Sequence, residues 1–183
     1  MKVKNLNASS KKTKNLIKKT FAILMNEKKE LNNITVTELV NKANITRSTF
    51  YTHYDNIYDV AKDFQNETLE LLSKNSKNLH SIDDVNDYFD NIFKYLKENE
   101  NTYKMILSSN DPLLFTDKLT KLIKSKLYNH LKIYNKKDLN LSITFFIDGC
   151  IILIIKHFRG EIDNSLDEIN EYMKKMFEVI LIN

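Results

Sequence analysis

Residues 34–54 read ITVTELVNKANITRSTFYTHY, and the order of hydroxyl, acidic and apolar residues in this stretch decides the fold. Thr35 stands three residues before Glu38. That is the spacing of a capping box, in which a hydroxyl and a carboxylate each satisfy a backbone group left open at a helix start. The spacing predicts a short helix to about residue 42 that buries Val36, Leu39 and Val40. Asn44 interrupts it. Asparagine tolerates the left-handed conformation better than most residues, so it can stop a helix where glycine is the usual choice. Thr46 then caps a second short helix running to about residue 53. Two short helices joined by a three- or four-residue turn form a helix-turn-helix. Two consecutive capped helices in an ordinary bundle share the same spacing.

Outward from this stretch, the composition points the same way. The 183 residues include two glycines, Gly149 and Gly160, and one proline, Pro112. Strand-rich folds need turn residues roughly every 8–12 positions, and doubly wound folds need glycine loops for phosphates. Both are excluded, and the expected fold class is all-α. Charged residues make up 28% and hydrophobic ones 42%, which places the chain among globular proteins. The single cysteine, Cys150, cannot form an internal disulfide, which suits a reducing, cytoplasmic setting. The opening MKVKNLNASSKKTK lacks the apolar core of a signal peptide. The most apolar run, residues 143–155, is broken by Asp148 and falls short of the about 20 residues a membrane span needs. No membrane association is expected.

Charge divides the chain in two. Residues 1–55 hold eleven Lys+Arg against Glu27, Glu30, Glu38 and Asp55, a net +7. Residues 56–183 hold 17 bases and 20 acids, a net −3. A basic head (1–55) on a mildly acidic body (56–183) is the footprint of a polyanion binder; a solvated lysine face has the same composition.

The remaining periodicity is helical throughout. A first helix over about residues 10–28 places Leu16, Ile17, Phe21, Leu24 and Met25 on one face. Body helices follow over about 56–77, 83–98 and 101–108. A further one starts at Asp111-Pro112, with proline at the first helical position, and reaches about 133. The last two span about 139–159, stopped by Gly160, and 166–182, capped by Ser165 with Glu168 three residues on. Leu166, Ile169, Met173, Met176, Phe177 and Ile180 make a wide apolar stripe. A soluble monomer seldom leaves such a surface bare, so the last two helices are expected to pair with a second copy as a four-helix interface. Tyr88, Phe89, Phe93, Tyr103, Met105, Phe115 and Tyr128 are candidate lining for a pocket that takes a small apolar or aromatic effector, or else plain core. Asp148 must be paired, wet or at an interface.

Taken whole, residues 34–54 resemble the DNA-binding head of the TetR family of bacterial transcriptional regulators, in a many-position match at fixed spacing. The resemblance covers about residues 10–65, and the helix order beyond is similar to the family's ligand-binding and dimerisation domain. It implies a homodimeric regulator, a repressor released from a palindromic double-stranded operator by a ligand. A family member controlled by a protein partner, with no small effector, is the alternative. Two departures stand out: Asn44 replaces the usual turn glycine, and Ile57 replaces a lysine often found just after the recognition helix.

A recognition helix lays its N-terminal residues along base edges. Arg47 can offer two donors to guanine, while Thr46, Ser48 and Thr49 can meet phosphate or a thymine methyl. Tyr51 and His53 match phosphate-contacting positions of the family, with Thr52 between them. Thr35 sits at a helix N-terminus suited to phosphate, and Lys11, Lys12 and Lys14 form a basic N-terminal arm. Ile45 and Phe50 are expected in the head core, and Tyr54 either there or at DNA.

Enzyme readings lack their parts. Di-iron bundles want Glu-x-x-His, yet Phe50, Lys77, Leu127 and Ile154 precede His53, His80, His130 and His157 by three. Two glycines supply no nucleophile elbow or phosphate loop. Cys150 reads as a small core residue. No catalytic residue, metal or cofactor is expected, and a helical scaffold or bundle enzyme is the alternative of a different class.

Overall fold

A computed structural model describes residues 2–75, 81–132 and 137–182, and every regular element among them is helical. In order they are α1 (Lys2–Lys28), one 3-10 turn (Leu31–Asn33), α2 (Val36–Ala43), α3 (Arg47–Tyr51) and α4 (Ile57–Asn75). Then come α5 (Ile82–Glu98), α6 (Glu100–Leu107), α7 (Leu113–Leu131), α8 (Leu139–Arg159) and α9 (Leu166–Ile182). The all-α expectation holds.

Local chemistry sets most helix ends. At α2, Thr35 Oγ1 accepts from the Glu38 N–H at 3.2 Å, and the Glu38 carboxylate accepts from the Thr35 N–H at 3.1 Å. Asn44 ends α2 in the left-handed region (φ 50, ψ 49). Gly160 ends α8 likewise at φ 69, and Ser165 with Glu168 closes a capping box on α9. A further box, Ser81 with Asp84, starts α5 one residue before the expected position.

Two starts differ from expectation. Pro112 is the N-cap of α7 and not its first helical residue, because the Asp111 carbonyl takes the Leu114 N–H at 3.1 Å in a tight first turn. α1 begins at Lys2 and not near residue 10, since no glycine or proline interrupts residues 2–10. Lys11, Lys12 and Lys14 stand on this helix, within the span expected for it and about three turns from its start. The expected end of α7 near residue 133 and His80 lie outside the described residues.

One buried cluster runs from the head to the last helix, uniting Phe21, Phe50, Phe115, Phe89 and Phe177. Ile17, Phe21 and Met25 of α1 are fully buried. Phe21 meets Phe115 of α7 at 6.3 Å between ring centroids, and Phe115 meets Phe64 of α4 edge-on at the same distance. Each such side chain contributes about 1.5–3 kcal/mol by leaving water. α8 is long and apolar enough to cross a membrane, longer than the 143–155 run. Its Ile143, Ile147, Cys150, Ile154 and Phe158 fill the body core instead.

The stripe on α9 faces inward. Leu166, Ile169, Met173 and Phe177 are at most 5% exposed, and Phe177 packs on Phe89 and Phe146 at 5.6 and 5.5 Å. These four cover their own core and are not free for a second copy. Periodicity finds an apolar face but does not say what covers it. Met176 sits at the edge of that face, 36% exposed, and the Ile180 side chain lies outside the described residues.

Candidate nucleic-acid interface and regulatory core

α2 and α3 hold their exposed side chains through their caps. The Thr49 N–H donates to Thr46 Oγ1 at 3.0 Å, and the two threonine hydroxyls lie 2.8 Å apart. Phe50 is fully buried, and Tyr54 is buried beside it at 5.9 Å. Ile45 packs partly buried against the same core. With α3 pinned from below, Thr46, Arg47, Ser48, Tyr51 and Thr52 all face solvent, Thr49 and His53 are half-buried, and Tyr51 stacks edge-on against Phe50. Arg47 forms no ion pair among the described residues. The structure thus brings the expected recognition residues onto one exposed face.

Thr35 is differently placed. Its hydroxyl donates to Glu38 at 2.9 Å, and Lys28 Nζ lies 2.7 Å from the same carboxylate. Hydrogen bonds from Lys28 and Thr35 hold the Glu38 carboxyl down to about 2. The hydroxyl is thus committed to the cap, and only the neighbouring backbone N–H groups are open to a phosphate.

The lysines sort by their partners. Lys11 and Lys12 are exposed and form no ion pair among the described residues. Lys14 is half-buried: its ammonium lies 5.3 Å from the Tyr54 ring centre and 3.7 Å from Asp63, which also accepts from the Tyr54 hydroxyl at 2.6 Å. Lys14 therefore ties α1 to α4 and is set apart from the other two. Lys42 pairs with Glu27 at 2.7 Å and fastens α2 to α1. Ile57, in place of a lysine, is buried core. Tyr58, which sequence reasoning passed over, is 59% exposed beside it and donates to Asn32.

The body encloses a cavity of about 60 Å³ among α4 to α9. Phe89, Phe93, Tyr103 and Phe115 are among the residues that line it. Tyr88 is buried elsewhere, with its hydroxyl raised to about 12 by burial; Met105 is half-buried off the cavity, and Tyr128 is exposed. The apolar wall also holds Phe64, Leu96, Ile147 and Ile151, which the sequence did not single out because uniform apolar runs mark no side. Its polar handles are the hydroxyls of Thr68 and Tyr103, 2.7 Å apart, with Thr116 and Cys150. Burial pushes the Cys150 thiol up to about 12, so it is a small core residue and not a nucleophile.

Asp148 is exposed on the outer side of α8, 2.7 Å from Lys124 of α7. Around it Leu141, Phe145 and Ile152 reach solvent, with Tyr172, Met176 and Val179 on α9. Among the described residues no cluster of three or more His, Cys, Asp or Glu could hold a metal.

Residues 83–179, more than half the chain, match a TetR-type transcriptional regulator C-terminal region. No curated protein sequence matches. The fold is similar to that of a TetR-like transcriptional regulator from Rhodococcus sp. RHA1, at TM-score 0.66 and 10% identity, covering 93% of this chain and 96% of that one. A TetR transcriptional regulator from Streptococcus agalactiae 2603V superposes at TM-score 0.59 and 20% identity, covering 95% and 98%. With a capped helix-turn-helix leading a helical body that matches over residues 83–179, the chain belongs to the TetR family of transcriptional regulators.

Proposed function

We propose that the chain is a homodimeric, cytoplasmic DNA-binding repressor, released from a palindromic double-stranded operator by a small apolar or aromatic ligand. The observation that carries the DNA reading is Arg47, exposed and without an ion pair among the described residues, at the start of a helix capped by Thr46 and pinned by buried Phe50. A guanidinium so placed offers two donors to guanine, with Thr46, Ser48, Thr49 and Tyr51 beside it for phosphate and methyl contacts. The basic excess of the head supports attraction to phosphate. The exposed strip on α8 and α9 supports a dimer, and a two-fold dimer calls for a palindromic site. The cavity supports a ligand.

Its size favours a second reading of the control step. About 60 Å³ is far below the roughly 300–1,000 Å³ of ligand pockets, so a protein partner acting on the surface competes with a small effector.

A gel shift with inverted-repeat and random duplexes across a salt series tests the DNA reading. Tight, steeply salt-dependent binding is expected; absent or salt-insensitive binding would leave a helical scaffold or enzyme. A thermal-melt panel of small apolar compounds tests the ligand, since binding raises the melting temperature. No response favours the protein partner.

A further inference from the structure

A recess of about 320 Å³, open to solvent, lies between the first helix of the head and the body. From α1 it takes Asn15, Lys18 and Lys19, whose spacing of three and four residues puts them on one helical face. From the start of α6 it takes Asn99 and Thr102. Lys18 is half-buried, while Lys19 is exposed and forms no ion pair among the described residues. Among those residues no carboxylate lines the recess, although residues 56–183 carry a net −3. Its floor is aromatic. Phe64, Tyr95 and Tyr103 line the recess and line the buried body cavity as well. Tyr103 meets Phe64 edge-on at 5.7 Å between ring centroids and Tyr95 at 5.8 Å, so a layer of three rings parts the two spaces. The hydroxyl of Tyr103 is tied at 2.7 Å to that of Thr68, which lines the cavity and not the recess.

We infer that this recess binds an organic monocarboxylate, its carboxylate held by Lys18 and Lys19 and its apolar body laid on the Tyr95 and Tyr103 rings. This rests on the small-ligand reading and gives that ligand a charge and a place outside the closed cavity. A cationic rim over an aromatic floor selects a molecule divided in the same way. Ammonium donors make charge-assisted hydrogen bonds to a carboxylate, stronger than neutral ones. A phosphate ester, doubly charged and forked, calls for arginine, and neither Arg47 nor Arg159 lines the recess. Size agrees: about 320 Å³ falls within the roughly 300–1,000 Å³ of ligand pockets. Because the lysines belong to the head and Tyr95, Asn99 and Thr102 to the body, a carboxylate bound there joins the two.

Thermal melts and titration calorimetry of the full chain without DNA test the site, with octanoate and cinnamate set beside octanol and cinnamyl alcohol. The carboxylates are expected to raise the melting temperature and to bind about tenfold or more tightly than the matched alcohols. Lys18→Gln and, at an exposed position, Lys19→Glu are each expected to weaken carboxylate binding by about tenfold or more. Alcohol binding and helical circular dichroism should stay as they are in both variants. Alcohols that bind as tightly as carboxylates, or carboxylate binding that survives both substitutions, overturn the inference while the small-ligand reading stands. No binding by any of these compounds overturns both, and leaves control to a protein partner.

Discussion

The backbone N–H of Asn110 donates to the carbonyl oxygen of Lys29 at 2.8 Å, a direct bond from the body to the head. Lys29 turns away from the end of α1 in the left-handed region, φ 64, which aims that carbonyl at the loop between α6 and α7. The loop is gripped from the other side. Arg159, at the end of α8, donates to the Leu107 carbonyl at 3.2 Å and to the Ser109 carbonyl at 2.7 Å. The end of α8 and the head thus share one short, hydrogen-bonded turn.

Arg159→Ala removes both donors and leaves the loop carbonyls to water. The guanidinium is about one-third exposed (32%), so the expected loss is moderate, about 1–2 kcal/mol in urea melts. Amide exchange at Asn110 should quicken more than exchange in the core of α8. Equal exchange at the two places would mean that Arg159 supports the whole bundle and not the junction.

On DNA, Arg47→Ala should cost about 1–3 kcal/mol on the operator and relax preference at one base pair per half-site. Lys11→Ala or Lys12→Ala should weaken operator and random duplex alike, lowering the salt slope by about one per subunit. Lys14→Ala belongs to neither class, because its ammonium is engaged by Tyr54 and Asp63; its effect should fall on thermal stability. Equal loss on both DNAs from Arg47→Ala would make Arg47 a phosphate anchor.

Acid should loosen the head through Glu38. Its carboxyl titrates near 2 in the folded chain against 4.5 unfolded, because Lys28 and Thr35 favour the charged form. A depressed carboxyl stabilises the fold above its unfolded value, and that stability fades as pH falls from 4.5 toward 2. Glu38→Gln should flatten this part of the stability profile measured by circular dichroism. An unchanged slope would place the acid sensitivity in other carboxylates.

Asn44 should accept glycine. At φ 50 and ψ 49 it bears a Cβ where glycine bears none, so Asn44→Gly is expected to be neutral or slightly stabilising. Asn44→Ala keeps the left-handed backbone but lacks asparagine's greater tolerance of that region, at about 1 kcal/mol. Thermal melts of the pair decide; a stability drop with glycine would mean that the asparagine side chain itself holds the turn.

Caps and stops were the most legible part of this chain, because they are local. Thr35–Glu38, Ser165–Glu168, Asn44 and Gly160 each act through backbone within a few residues, and each stands where its spacing predicts. The exposed face of α3 followed from the same logic, since a short capped helix with buried Phe50 leaves Arg47 and Tyr51 outside. What periodicity could not supply was the partner of an apolar face. α9 turns its strongest stripe to its own core, while α8, apolar nearly all round, hides Cys150 and shows Phe145 with no pattern to tell them apart. Lys14 was illegible for a related reason: its partners, Tyr54 and Asp63, are brought to it by the packing of α1 on α4.

Cys150 gives the molecule a clock. It is the chain's one thiol, buried in the wall of the body cavity on the helix that also carries Arg159 and Gly149. A thiol reagent reaches it only when α8 parts from its neighbours, so the rate of labelling counts those openings. Whatever fills the cavity slows the count, and whatever pries the bundle apart hastens it, with no dye, tag or substitution needed to read the time.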